Sequence, residues 1–238
     1  MHISELKNGA RKLIRDNAPK IFVSSIIFIV LITVMSELQF RLPGTVSAYE
    51  RYVEQLASGD FQNLQMVYSY LRPSGVPLAV LLWILSSVLD AGFMSYCLKV
   101  TRGNGGDHKD VFDGFLYLGK VILIKIMTNF LILLWSFLFI FPGVVAFYRY
   151  RQAYYVLLDD PQKSALQCIR ESKSLMHGQK LDLFLLDLSF IGWVLLDNIV
   201  IILLPLPFTL PLVSIWLTPY TGLARAAFYN QLLNRLAT

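Results

Sequence analysis

The stretch FPGVVAFYRYRQAYYVLLDD (residues 141–160), followed by PQKSALQCIRESKSLMHGQK (161–180) and LDLFLLDLSFIGW (181–193), decides how this chain is read. An apolar run is broken at Pro142-Gly143 and carries Arg149 and Arg151. A basic amphipathic segment follows, and then a second apolar run that contains aspartates, Asp187 among them. Apolar runs of this length suit a bilayer, whose hydrocarbon core takes about 20 helical residues to cross. The rest of the chain supplies further apolar runs able to pack around this stretch.

Composition agrees. Hydrophobic residues make up 55% of the chain and charged residues 16%, where a soluble domain carries about 25% charged, and the mean hydropathy is +0.55. The net charge of +5 would suit a nucleic-acid binder, but the lysines and arginines collect in short segments between apolar runs. That is the bias of cytoplasmic loops, so no nucleic-acid partner is expected. The two cysteines, Cys97 and Cys168, form no CxxC pair and are expected as free thiols.

Taken in order, residues 1–19 form an N-terminal amphipathic helix. Ile3, Leu6, Ala10, Leu13 and Ile14 share one stripe about 100° wide, with Lys7, Arg11 and Arg15 along its edge. Such a helix suits an anionic membrane surface, with these three residues as the binding groups, and equally suits packing against the rest of the protein. Residues 20–35 are the first expected span. Residues 37–75 turn polar and aromatic and read as an extracytoplasmic helical hairpin, with Asp60 as an N-cap and tyrosines at the interface. Residues 76–100 are the second span and contain Asp90.

The loop after it includes DHKDVFD, where Asp107, His108, Asp110 and Asp113 have the chemistry of divalent-ion ligands. Their spacing matches no defined metal loop, so capping of the next helix is the simpler expectation and no metal or other cofactor is assigned. Residues 115–141 form the third span, with Lys125. The Pro142-Gly143 pair is expected to turn the chain, and 144–158 to return as a short fourth span. Residues 161–179 read as a cytoplasmic surface helix with Ala165, Cys168, Ile169, Ser172 and Met176 on one face, ended by His177-Gly178. Residues 181–204 make a fifth span with Asp187 and Asp197, a proline-rich turn follows, and 212–233 make the sixth.

The expected fold is therefore all-α, a single polytopic membrane domain over residues 1–238. It has about six spans, a multi-pass location in the cell membrane and both termini cytoplasmic. Charges at membrane depth then need partners. At 1.5 Å per residue, Asp90, Lys125 and Arg149 each lie about 15 Å inside, where an unpaired charge costs roughly 3 kcal/mol. Asp90 is expected to meet Arg149 or Lys125, with Asp187 as an alternative partner and Arg151 reaching a different group.

Several stretches resemble a bacterial integral membrane family known as domain of unknown function 975. They are SELKNGARKLI near the N-terminus, Trp135 to Pro142-Gly143, ESKSLMHGQKLDLFLLDLSFIGW from Glu171 to Trp193, and Trp216 to Tyr220 followed by Phe228-Tyr229. That family is similar in layout to the membrane-anchor domains beside some glycerophosphodiester phosphodiesterases. The resemblance implies helical membrane modules with no catalytic residues of their own, and it supplies no substrate. Three function classes follow. A non-enzymatic scaffold or accessory module for a membrane-protein partner, or for a second copy of itself, is favoured by the absence of GxSxG and HExxH and by the scatter of the three histidines. A carrier or channel for a solute or lipid is motivated by the intramembrane charges. A lipid-active enzyme would have only Asp107, His108 and Asp110 in one loop, which is an incomplete site.

Overall fold

The computed structural model describes residues 3–41, 76–203 and 211–237. Most of the 37–75 hairpin, Asp60 included, and most of the proline-rich turn lie outside them. The described chain is helical throughout, with no strand. In order, α1 spans Ile3–Asp16, α2 Ala18–Arg41 and α3 Val76–Thr101; a 3₁₀ helix covers His108–Tyr117. Then come α4 (Leu118–Leu138), α5 (Ile140–Tyr150), α6 (Ala153–Asp159), α7 (Ala165–Leu175), α8 (Lys180–Leu188), α9 (Ile191–Leu203) and α10 (Ser214–Ala237). The chain separates into two compact units, one of Met1–Ile29 with Ser87–Thr238 and one of Val30–Ser86. In the smaller unit the Ser86 hydroxyl donates to the Leu82 carbonyl at 2.8 Å and to Met35 Sδ at 3.7 Å.

Four helical stretches are long and apolar enough to cross a membrane: Ala18–Gln39, Pro77–Thr101, His108–Phe137 and Lys180–Val200. The expected count of six is thus not confirmed, and the two remaining segments differ for separate reasons. Residues 140–159 break at Arg151-Gln152 into helices of 11 and 7 residues, each well short of the roughly 20 that a bilayer requires. The last helix is long enough at 24 residues, but Arg225, Asn230, Gln231, Asn234 and Arg235 make it polar. It is also well enclosed, with Tyr220, Leu223, Ala224, Ala226 and Phe228 at 0% exposure.

The larger unit is assembled around α10. Tyr229 stacks on Tyr155 of α6 at 5.2 Å, and Tyr220 meets the edge of Phe190 at 5.0 Å. A side-chain carbon on Gly222 would lie 2.7 Å from Cys97 Sγ, so glycine lets α10 approach α3. The α3 helix is met still more closely from the other direction. A Cβ on Gly114 would stand 1.9 Å from the Val88 carbonyl oxygen, and one on Gly92 1.9 Å from the Val111 carbonyl. Backbone therefore packs on backbone there, a closeness that small residues allow between membrane helices.

The α4–α5 hairpin turns earlier than expected. The break falls at Phe139, whose backbone is extended, and α5 begins at Ile140 with Pro142 inside its first turn. Proline is tolerated there because the first backbone N–H groups of a helix have no intrahelical acceptor. Gly143 serves the hairpin by close approach, since a Cβ on it would lie 2.1 Å from Ser136 Oγ. The surface helix α7 also starts later than expected. Ser164 caps it, paired with Gln167 in a capping box, which places Asp160-Pro161 in the preceding turn. Its anticipated face, Ala165, Cys168, Ile169, Ser172 and Met176, is buried, and the helix ends ahead of Gly178 at φ 74°.

Candidate functional site

The charges inside the larger unit converge on Asp187 of α8. Its Oδ1 accepts from Arg225 Nε of α10 at 2.9 Å, and its Oδ2 lies 3.2 Å from a terminal nitrogen of Arg151, the residue that closes α5. The three side chains are 14% (Asp187), 20% (Arg151) and 31% (Arg225) exposed. Aromatic rings wall the cluster. The Arg151 guanidinium sits 4.8 Å from the Phe147 ring centroid and 6.0 Å from that of Tyr148, and Tyr148 meets Phe184 edge-on at 5.7 Å. One carboxylate bridging two guanidinium groups ties three helices together with charge-assisted bonds and leaves a net charge of +1.

The other expected members of the cluster lie elsewhere. Lys125 acts electrostatically on Asp90, while Arg149 lies 5.6 Å from the ring of Trp135 and lends its carbonyl to the Ser172 hydroxyl at 2.9 Å. The structure thus brings Asp187 and Arg151 together and keeps Arg149 apart. Arg225 is not among the expected members, since its position in the chain puts it toward the inner end of the expected sixth span. Its placement in the small, apolar run LARAAF (residues 223–228) was the available signal, since an arginine there needs a buried anion.

Three further polar groups have structural roles. Asp197 of α9, 7% exposed, accepts from Val213 N at 3.0 Å and the Ser214 hydroxyl at 2.5 Å, placing a carboxylate at the start of α10 where the helix dipole favours it. Asp159 of α6 accepts from Arg102 at 2.5 Å and from the Tyr229 hydroxyl at 3.2 Å. In the DHKDVFD loop, Asp107 caps the 3₁₀ helix in a capping box with Asp110. Lys99 bridges Asp110 at 2.6 Å and Asp113 at 2.7 Å, Ser95 donates to Asp113 at 2.7 Å, and His108 Nδ1 meets the Ser24 hydroxyl at 2.9 Å. These four loop residues therefore cap and brace, and no cluster with metal-binding geometry occurs among the described residues.

The N-terminal basic residues face protein as much as surroundings. Leu6, Ala10 and Ile14, the core of the apolar stripe, are buried as α1 packs against α8 and α10. Lys7 donates to the Ser189 hydroxyl at 3.2 Å and sits 4.8 Å from the Phe190 centroid; burial, with a smaller effect from Arg11, lowers its pKa. Arg11 lies 5.5 Å from the ring of Tyr220. Arg15 stays exposed beside Asp16 at 3.7 Å. Of the free thiols, Cys97 and Cys168 are both buried, and burial raises the pKa of Cys168.

A helical chain with four stretches able to cross a bilayer has the make-up of a multi-pass membrane protein. Residues 142–236 match the model of a family described as "Protein of unknown function (DUF975)", so the C-terminal part of the chain is similar to that family. The match includes Arg151, Asp187 and Arg225, and leaves out the N-terminal part of the resemblance. No curated protein and no solved structure matches the chain.

Proposed function

We propose that the protein is a multi-pass protein of a bacterial cytoplasmic membrane that acts as a non-enzymatic scaffold or accessory module for another membrane protein. The observation that carries this reading is the Arg151–Asp187–Arg225 brace. Both carboxylate oxygens are engaged by protein, so the strongest charges in the interior hold helices in place. Breaking such a pair is costly, whereas the pair itself adds little beyond fixing which helices meet. The broad apolar surface of α4, where Phe130, Leu133 and Phe137 are 63%, 56% and 81% exposed, offers lipid or a partner's spans a rigid wall. Lys99, Arg102, Lys109, Lys120, Lys163, Arg170, Lys173 and Lys180 lie in segments that join or border the spans, which favours cytoplasmic placement for those segments and for both termini.

Purification of the tagged protein from native membranes in mild detergent tests the reading. A stoichiometric membrane-protein partner that is lost on widening of the α4 face, as in Leu133→Trp, is the expected result. A protein recovered alone at every detergent tried overturns it. The second reading, a carrier for an anion, is favoured by the one uncompensated positive charge of the brace. It predicts that Arg225→Gln stays folded and loses anion flux from proteoliposomes.

A further inference from the structure

We propose a phosphate-binding pocket at the joint between α1 and α2, distinct from the brace and independent of the scaffold reading. A cavity of about 130 Å³ is lined there by Asn17, Lys20 and Tyr96 together with Gly103, Gly105 and Gly106 of the loop that leaves α3. This is several times the room that one water needs. Its lining is divided. Tyr96 and Gly106 are buried, whereas Asn17, Lys20, Gly103 and Gly105 are exposed, so the cavity opens on its polar side.

The donors around it are in excess of the acceptors. Lys20 forms no ion pair among the described residues. The Tyr96 hydroxyl is buried without a well-formed hydrogen bond; the neighbouring Ser24 hydroxyl is engaged by His108 at 2.9 Å, and the Asp110 carboxylate acts on Tyr96 from the loop. Among the described residues the Gly103 and Asn104 N–H groups return to Val100 and Lys99 at 3.1 and 3.0 Å, while those of Gly105 and Gly106 meet no protein acceptor. A buried donor such as the Tyr96 hydroxyl is ordinarily satisfied. Gly103 and Gly105 at φ 76° and 54° flank Asn104, which is not at positive φ. These glycines reverse the chain at the end of α3, and the two N–H groups that meet no acceptor belong to Gly105 and Gly106, both of which line the cavity.

Position selects the ligand. One candidate span begins at Ala18 and another ends at Thr101, and the pocket lies between these two ends, at the level where a bilayer presents its headgroups. A phosphate monoanion or phosphodiester matches the single cation, the donor excess and the room. The same chemistry is offered by an anionic phospholipid headgroup and by a soluble phosphate.

Native mass spectrometry of the full chain in detergent distinguishes the sources, with phosphatidylglycerol, diacylglycerol and inorganic phosphate as probes. The expected result is one tightly held phosphatidylglycerol, no retained diacylglycerol, and affinity lower by roughly tenfold or more in Lys20→Gln, the loss of one charged hydrogen bond. Tyr96→Phe should weaken binding by a smaller factor, and Lys173→Gln, an exposed charge on α7, should leave it unchanged. Inorganic phosphate that displaces the lipid supports the pocket with a soluble ligand; phosphate that neither binds nor competes supports it with a lipid ligand. Equal binding by wild type and Lys20→Gln, with both equally heat-stable before lipid is added, overturns the proposal, as does equal loss in Lys173→Gln.

Discussion

The α4 and α10 helices are nearly the same length and opposite in every other respect. Within the candidate span His108–Phe137, the most apolar window has only 17% of its residues buried. In contrast, α10 carries two arginines and two asparagines and is the core of its unit, with Phe228 at 0% and Tyr229 at 1% exposure. A soluble fold puts its most apolar helix inside. Here α4 stays on the outside, as a helix facing lipid tails would, because such surroundings exert no hydrophobic pressure to bury it. Close backbone approach and buried ion pairs then hold the interior together.

The sharpest way to break this contrast is a pair of glycines. Gly114→Ala puts a carbon 1.9 Å from the Val88 carbonyl and should destabilise the protein by about 3 kcal/mol or more, because backbone cannot move aside as a side chain can. Gly119→Ala, at the start of α4 with nothing within 4 Å, should alter stability by no more than about 0.5 kcal/mol, and in the favourable direction. Thermal melts in one detergent compare the two, and a similar loss in both would remove the distinction between inner and outer faces.

The brace comes next in size. Asp187→Asn leaves two guanidinium groups unanswered and should cost about 3 kcal/mol. Neutralising Arg225 in the same chain should recover part of that loss if the pair fixes helix positions. A double mutant as unstable as the sum of its singles would show that the two residues do not interact.

The smallest effect belongs to the surface. Lys163 pairs with Glu171 at 2.8 Å with both side chains partly exposed, and that hydrogen bond raises the lysine pKa. A raised folded-state pKa contributes stability that is fully present below the unfolded value, near 10.4, and fades as pH climbs through the folded value above it. Lys163→Met should thus cost under about 1 kcal/mol, by an amount constant from about pH 6 to about pH 9. A cost that grew as pH rose through the lysine range would contradict the sign of the shift.

Much of this architecture could be read from residue order. The spans at α2, α3 and α4 follow from unbroken apolar runs, the buried face of α7 from its periodicity, and the capping by Asp107 from the change of character at the loop. The α4–α5 turn was misplaced by three residues because Pro142-Gly143 looks like a breaker. Proline in a first helical turn breaks nothing, and Gly143 is there for the approach of Ser136. Six expected spans rest on taking every long apolar run as a membrane crossing. The apolar residues of α10 also build a core, a role that periodicity does not separate from a crossing. The partner of Asp187 was hidden for a different reason: depth along a span gives the level of a charge but not which side of the bundle it faces.

The inversion between α4 and α10 is tested most directly by photocrosslinking in native membranes, with a diazirine-bearing phenylalanine placed once at Phe130 and once at Phe228. The account predicts products outside the chain, chiefly lipid adducts, from position 130 and only intrachain products from position 228. Intrachain products from position 130, together with lipid adducts from position 228, would contradict it.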